Sequence, residues 1–134
     1  MGDKMSEYVV LTGMSEHVIS ELKQNKLLTI EIRSPHNFFA AMDLKPGDFL
    51  FLTRTCPDDL TGGNTGIVAK LLKTQMSTFR VLQSGEMYHE EREMTTLRLQ
   101  LDPRCIARVR KVLSNRIGAV SKVDAEEIPL YNAQ

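Results

Sequence analysis

The chain has 134 residues, the length of one ordinary folded domain, and its 42% hydrophobic and 25% charged residues exclude wholesale disorder. Its 17 Lys and Arg balance 17 Asp and Glu, so the overall charge carries no polyanion-binding signature and a nucleic-acid surface would have to come from segregated charge. No apolar run approaches the roughly 20 residues that span a bilayer, and the opening Met1-Gly2-Asp3-Lys4-Met5-Ser6-Glu7 lacks the apolar centre of a secretory signal.

A cytoplasmic location away from the membrane is therefore expected. Cys56 and Cys105, the only two cysteines, lie far apart and in no metal-type spacing. Two free thiols in a reducing compartment are expected ahead of a disulfide. The organisation expected is a single domain over residues 1–134, with 1–6 an extension and 124–134 an acidic tail, packed on the surface or frayed.

In chain order, Tyr8-Val9-Val10-Leu11 reads as a strand that leaves through Thr12-Gly13. Ser15 is suited to cap a helix N-terminus, Val18, Ile19 and Leu22 form its apolar stripe, and Asn25 suits the left-handed residue that ends it. Residues 27–33 give the clearest strand. Leu28, Ile30 and Ile32 alternate with Thr29, Glu31 and Arg33, and a period of two puts each set on its own face. Ser34-Pro35 stops the strand and opens a short helix over residues 36–42 that buries Phe38 or Phe39.

Lys45-Pro46-Gly47-Asp48 is a turn, and Phe49-Leu50-Phe51-Leu52 a buried strand. Residues 57–66 read as a loop, and a strand pattern resumes at 67–74. After Thr78-Phe79-Arg80-Val81-Leu82 comes a charged segment over 86–93. Leu97, Leu99 and Leu101 alternate with Thr96, Arg98 and Gln100 in another strand, which Pro103 is expected to break. Two further strands, 106–112 and 117–123, are joined through Ser114-Asn115-Arg116. Many short strands with helices gathered early predict an α+β fold around a curved or closed, mostly antiparallel β-barrel with one or two early helices.

Three segments could carry chemistry. Thr29, Glu31 and Arg33 line up a hydroxyl, a carboxylate and a guanidinium, able to recognise a base edge or a phosphate; a solvated sheet face is the plainer alternative. Ser34, His36 and Asn37 stand at a helix N-terminus, where free N–H groups attract anions; simple capping is the alternative. The third is a basic run of Arg104, Arg108, Arg110, Lys111, Arg116 and Lys122, with no acid between Pro103 and Val123. It could hold phosphates, or be a solvated edge paired with Glu86, Glu90, Glu91 and Glu93. The Gly-rich stretch 62–66 is not a P-loop, because no Gly-Lys-Ser/Thr follows, and reads as a flexible entry to a strand. His17, His36 and His89 are scattered, so no metal site and no cofactor is expected.

Leu28-Thr29-Ile30-Glu31-Ile32-Arg33, then Leu44-Lys45-Pro46-Gly47-Asp48-Phe49-Leu50-Phe51, then Gly66-Ile67-Val68-Ala69-Lys70 resemble the PUA-like superfamily, above all its ASCH branch. The whole chain more closely resembles an uncharacterised archaeal family, domain of unknown function 473, through Tyr8-Val9-Val10-Leu11-Thr12-Gly13 and the block from Thr29 to Phe39. The PUA-like resemblance implies an RNA- or nucleotide-binding cleft beside the barrel. Some ASCH members resemble small hydrolases of modified nucleosides, which would assign Glu31 and Thr29, with Lys26 or Lys70, to catalysis. Leu28 stands where those enzymes carry Lys, so binding is expected ahead of hydrolysis. The expected partner is RNA or a nucleotide-like ligand held by Thr29, Glu31, Arg33, Ser34, His36 and Asn37 and by Arg108, Arg110, Lys111 and Arg116. A protein-interaction module or homodimer is the reading from a different class.

Overall fold

The computed structural model describes residues 7–85, 89–115 and 120–128. Along the chain run β1 (Glu7–Leu11), α1 (Glu16–Lys23), β2 (Leu28–Ile32), α2 (Pro35–Met42), β3 (Phe49–Leu52), a 3-10 turn (Pro57–Asp59), β4 (Thr65–Ser84), β5 (His89–Ser114) and β6 (Lys122–Glu127). The fold is α+β. Its strands form one six-stranded mixed sheet in the order β2-β5-β4-β3-β1-β6. Strand β5 pairs again with β6, so hydrogen bonds close a ring that is not a regular barrel. The pairing of β1 with β3 is parallel and the others are antiparallel.

Local chemistry sets the helix ends. The Ser15 hydroxyl accepts a hydrogen bond from the Val18 N–H at 3.2 Å, and Asn25, at φ 61°, turns the chain out of α1. The Ser34 hydroxyl does the same for the Asn37 N–H at 3.3 Å, with Pro35 in the first turn of α2. Each cap satisfies a donor that the helix itself cannot.

The sheet separates two apolar clusters. Inside the ring lie Val10, Phe51, Val68, Ala107, Val109, Val123 and Ala125. On the side of the helices, Leu11, Leu50, Leu52, Ile67 and Leu71 meet Ile19 and Leu22 of α1, Ala40 and Ala41 of α2, and Ile30 and Ile32 of β2. The alternation of β2 holds as expected, with Ile30 and Ile32 buried and Thr29, Glu31 and Arg33 exposed. Of the two phenylalanines in α2, Phe38 is half-buried against the helix-side core and Phe39 is 53% exposed.

Several expected boundaries change. Residues 67–74 and 78–82 belong to one strand, β4, of 20 residues. Pro103 does not break its strand: β5 runs through it for 26 residues. The register explains why. Ala69 faces Pro103 and Val68 faces Cys105, so Arg104 is an extra residue, a bulge that bends the strand beside the proline. Leu72 is a second bulge, on β4. Together they re-aim alternation, so Leu97, Leu99 and Leu101 face the helices while Ala107 and Val109 face the ring interior.

The strand expected over 106–112 is the far half of β5, and its partner β6 begins at Lys122; Arg116 lies outside the described residues. The segment from Asp124 is no surface tail over its first residues, because Asp124 and Ala125 are buried in β6. The extension 1–6 and residues 129–134 lie outside the described residues. The basic stretch of β5 faces acids of β6, Arg108 opposite Glu126 and Lys111 opposite Asp124, rather than the 86–93 segment. Of that segment, Glu86 lies outside the described residues, and Glu90, Glu91 and Glu93 are in register with Gln83, Leu82 and Arg80 of β4.

Candidate functional site

Strand β2 pairs with β5 along one edge, and among the described residues its other edge is open. Beyond that edge, where β2 ends, lies a cleft of about 400 Å³ lined by Glu31, Ile32, Arg33, Ser34 and Asn37 and by Gly13, Met14, Ser15 and Val18 from the start of α1. The fold thus gathers four of the six site residues expected on this segment and brings both serine-capped helix N-termini to one place. An open strand edge and two helix N-termini each present backbone hydrogen-bonding groups, and a helix N-terminus carries the positive end of its dipole.

The side chains of this cleft are largely engaged with one another. Arg33 donates to Glu31 Oε2 at 3.4 Å, with Arg33 85% exposed. Asn37 is 3% exposed and satisfied: its Oδ1 accepts from the Thr12 N–H at 2.9 Å and its Nδ2 donates to the Thr12 carbonyl at 2.7 Å. That pair of bonds fastens α2 to the end of β1. Asn37 is a clamp that shapes the cleft, with its backbone N–H already taken by Ser34.

Thr29 lies apart, in a depression of about 160 Å³ with Lys73, Gln75, Arg98 and Gln100, on the outward face shared by β2, β5 and β4. His36 is directed elsewhere. Its Nε2 lies 3.1 Å from Ser121 Oγ, whose hydroxyl donates to Asn115 Oδ1 at 2.8 Å. With that proton committed to Asn115, His36 Nε2–H must be the donor toward Ser121. Asn115 Nδ2 then donates to the Pro57 carbonyl at 2.6 Å, which ties α2 to the base of the β5–β6 hairpin. Lys26 pairs with Glu21 at 3.7 Å, and Lys70 sits in register between Phe49 and Asp102.

On the basic hairpin, Arg110 is a bulge whose Nε is 3.7 Å from Asp124 Oδ2. Asp124 is 4% exposed and its Oδ1 has no hydrogen-bond partner among the described residues, so Arg110 balances a buried carboxylate. Arg104 pairs with Asp102 at 3.4 Å. Arg108 and Lys111 are exposed.

A second and larger cleft, of about 520 Å³, was not anticipated. Its walls are the Gly-rich loop through Gly63, Asn64, Thr65 and Gly66, the segment Thr53-Arg54-Thr55 after β3, and Ile19 and Lys23 of α1, with Ile106 of β5 completing the lining. Hydrogen bonds tie the loop to β5 and to itself. Gly63 takes φ 97°, Asn64 Oδ1 accepts from the Thr61 N–H at 2.7 Å, and the Gly63 N–H and Asn64 carbonyl both bond to Val109 at 2.8 Å. A Cβ at Gly66 would meet the Leu52 carbonyl and come within 2.7 Å of the Phe51 ring.

The two clefts share a wall. The Gly13 N–H donates to the Thr55 carbonyl at 2.9 Å and the Met14 N–H to the Thr53 carbonyl at 3.0 Å. Arg54 and Lys23 carried no periodic signal. The one hint in the sequence is that Thr53-Arg54-Thr55 follows a fully apolar strand, where the chain leaves the core and its polar groups reach solvent.

Among the described residues no group of His, Cys, Asp and Glu is placed to hold a metal ion. No helix of the described residues is long and apolar enough to cross a membrane. Both cysteines are free thiols; Cys56 is exposed, while burial and then the charge of Glu127 push the Cys105 thiol pKa up.

The comparisons agree with the archaeal resemblance. An uncharacterised protein of Methanocaldococcus jannaschii, MJ0105, is 29% identical over 92 residues, which cover 69% of this chain and 57% of that protein. The chain therefore spans little more than half the length of that relative. Residues 6–123 match the family described as protein of unknown function DUF473, and the chain belongs to that family.

Proposed function

We propose that this protein binds a nucleotide-like ligand or RNA in the cleft at the open edge of β2. The observation that carries the reading is the convergence of Glu31, Arg33, Ser34 and Asn37 with the capped start of α1 around one cavity of about 400 Å³, a volume suited to a small ligand. Glu31 offers acceptors for a base edge, the exposed Arg33 offers a guanidinium to a phosphate, and the helix N-termini favour negative charge. The resemblance of the Thr29–Arg33 strand, the Pro46-Gly47-Asp48 turn and the Gly66-Ile67-Val68 strand to PUA-like proteins supports the same use. Arg108, Lys111 and Lys122 are exposed members of the basic run that make no ion pair among the described residues, and they are available for phosphate contacts.

Binding is favoured over hydrolysis by the position of Lys26, whose ammonium pairs with Glu21 rather than with Glu31. Fluorescence anisotropy with short labelled RNAs, and calorimetry with nucleoside monophosphates, test the reading. Affinity is expected to fall as salt rises and to drop about tenfold in Arg33→Ala, the loss of one charge-assisted contact. Salt-insensitive binding, no binding to any member of the panel, or unchanged affinity in Arg33→Ala would remove it.

A further inference from the structure

We infer that the larger cleft, between the Gly-rich loop and the last turn of α1, is a separate binding site for a phosphate-bearing anion. It goes beyond the reading for the Glu31 cleft and does not depend on it. The first observation is charge. Lys23 and Arg54 both line the cavity of about 520 Å³, and no acidic side chain is among its described lining residues. Neither cation makes an ion pair or a side-chain hydrogen bond among the described residues, although this chain has as many acids as bases.

A third cation, Arg108, does not line the cavity but stands on the sheet face that borders it. Arg108 lies opposite Thr65, and Ile106 opposite Ile67, in the β4–β5 register. Directly opposed residues share a face, so Arg108 emerges on the face of Thr65 and Ile106, both of which line the cavity. It faces Glu126 across the β5–β6 pair without an ion pair among the described residues. Arg110, one bulge further, behaves oppositely and is held by Asp124 at 3.7 Å. Cations left unpaired around a concavity, while their neighbours are paired, mark where a polyanion's charge is wanted.

The second observation is the wall facing them. Gly63 and Gly66 line the cavity without side chains; the Gly63 N–H is held by the Val109 carbonyl, and Gly66 is fixed as glycine by Phe51 and Leu52. The Thr65 hydroxyl and the Asn64 amide supply short polar groups, whereas the Thr55 hydroxyl is bonded to Thr53 Oγ1 at 3.2 Å. The Asn64 amide is oriented by the Thr61 N–H on its Oδ1, leaving Nδ2 as a donor. Thr53 is turned inward: its hydroxyl donates to the Thr65 carbonyl at 3.0 Å and holds the two walls at fixed separation. Guanidinium, ammonium, amide and hydroxyl donors around a water-accessible cavity fit the three acceptor oxygens of a phosphate or phosphoester.

Amide-resolved NMR titration of the whole chain tests this, with inorganic phosphate, pyrophosphate, adenosine monophosphate and a short single-stranded RNA as separate probes. Expected are saturable shifts at the amides of Gly63, Asn64, Thr65 and Gly66. The affinity should fall about tenfold in Arg54→Gln and further in the Lys23→Ala, Arg54→Gln double variant, while Arg33→Ala leaves it unchanged. Lys23 and Arg54 are both exposed, and unchanged thermal midpoints will verify that the variants fold. Binding of the free anions or the mononucleotide identifies a small phosphate ligand, and shifts at the same amides with RNA alone identify a backbone phosphate. No saturable shift with any probe, or shifts that survive the double variant undiminished, overturns the site. Shifts confined to Gly13, Ser15 and Glu31 and lost in Arg33→Ala overturn it while leaving the Glu31 cleft standing.

Discussion

The two clefts meet at α1, one reaching it through Ser15 and Val18 and the other through Ile19 and Lys23, and they differ in what their charged groups face. In the Glu31 cleft the carboxylate and the guanidinium neutralise one another, and the buried amide of Asn37 is fully committed to Thr12. In the Gly-loop cleft Lys23 and Arg54 make no ion pair among the described residues, and the buried hydroxyl of Thr53 bonds across to the Thr65 carbonyl. A ligand entering the first must exchange an existing pair for its own contacts. An anion entering the second would meet cations that no described acid pairs. Polar residues in a row are therefore a weaker sign of a site than cations left unpaired.

Each cleft rests on one residue that its neighbours do not let vary, and breaking those gives the largest effects. Gly66→Ala forces a Cβ into the Leu52 carbonyl and the Phe51 ring. It should lower stability by about 3 kcal/mol and abolish the Gly-loop cleft, measured as a lower urea midpoint. Asn37→Ala strips the buried N–H and carbonyl of Thr12 of their partners. It should cost about 2–3 kcal/mol and loosen α2, with faster amide exchange at Thr12 as the local readout.

Arg110→Ala separates structural from ligand-facing cations. It leaves the buried carboxylate of Asp124 without an ion pair among the described residues. Roughly 1–2 kcal/mol should be lost, restored in large part by Asp124→Asn in the same chain, whereas Arg108→Ala should leave stability within about 0.5 kcal/mol of the parent. A fall of equal size for both arginines would erase the distinction drawn between them. Arg33→Ala should also change stability by less than about 0.5 kcal/mol, because its pair with Glu31 is solvent-screened.

The smallest effect concerns Cys105, which lines a shallow hollow with Lys23 and Ile106 beside the Gly-loop cleft. Its pKa is raised by burial and by Glu127, so its neutral form is the one the fold prefers. Its contribution to stability is then constant below the pKa of a free thiol and declines as pH rises through that value toward the folded one. At neutral pH a thiol reagent should modify the exposed Cys56 first, and Cys105 should lag in Cys56→Ser. Equal rates would show that the hollow does not shield the thiol.

The α+β class, both helices with their serine caps and the inward face of β2 were legible in the sequence because each depends on residues close together in the chain. Ser15 and Ser34 act on N–H groups three residues on, and Leu28, Ile30 and Ile32 need only the pleat. The length of β5 was not legible, since Pro103 argues against a strand unless a bulge takes up Arg104, and the bulge is defined by β4. The first residues of the expected acidic tail are buried in β6 because two separate strands, β1 and β5, pair with them.

Of the candidate site, the sequence by itself determined which residues share the polar face of β2 and that Ser34 caps α2. Only the tertiary structure decided that Glu31 and Arg33 open onto a cleft while Thr29 and His36 do not. It alone set Lys23 of α1 and Arg54, which follows β3, beside one loop. The physical reason is range. Backbone periodicity and capping act over a few residues, whereas a cleft is the space left where distant segments pack, and the charge within it depends on which acids the packing placed out of reach.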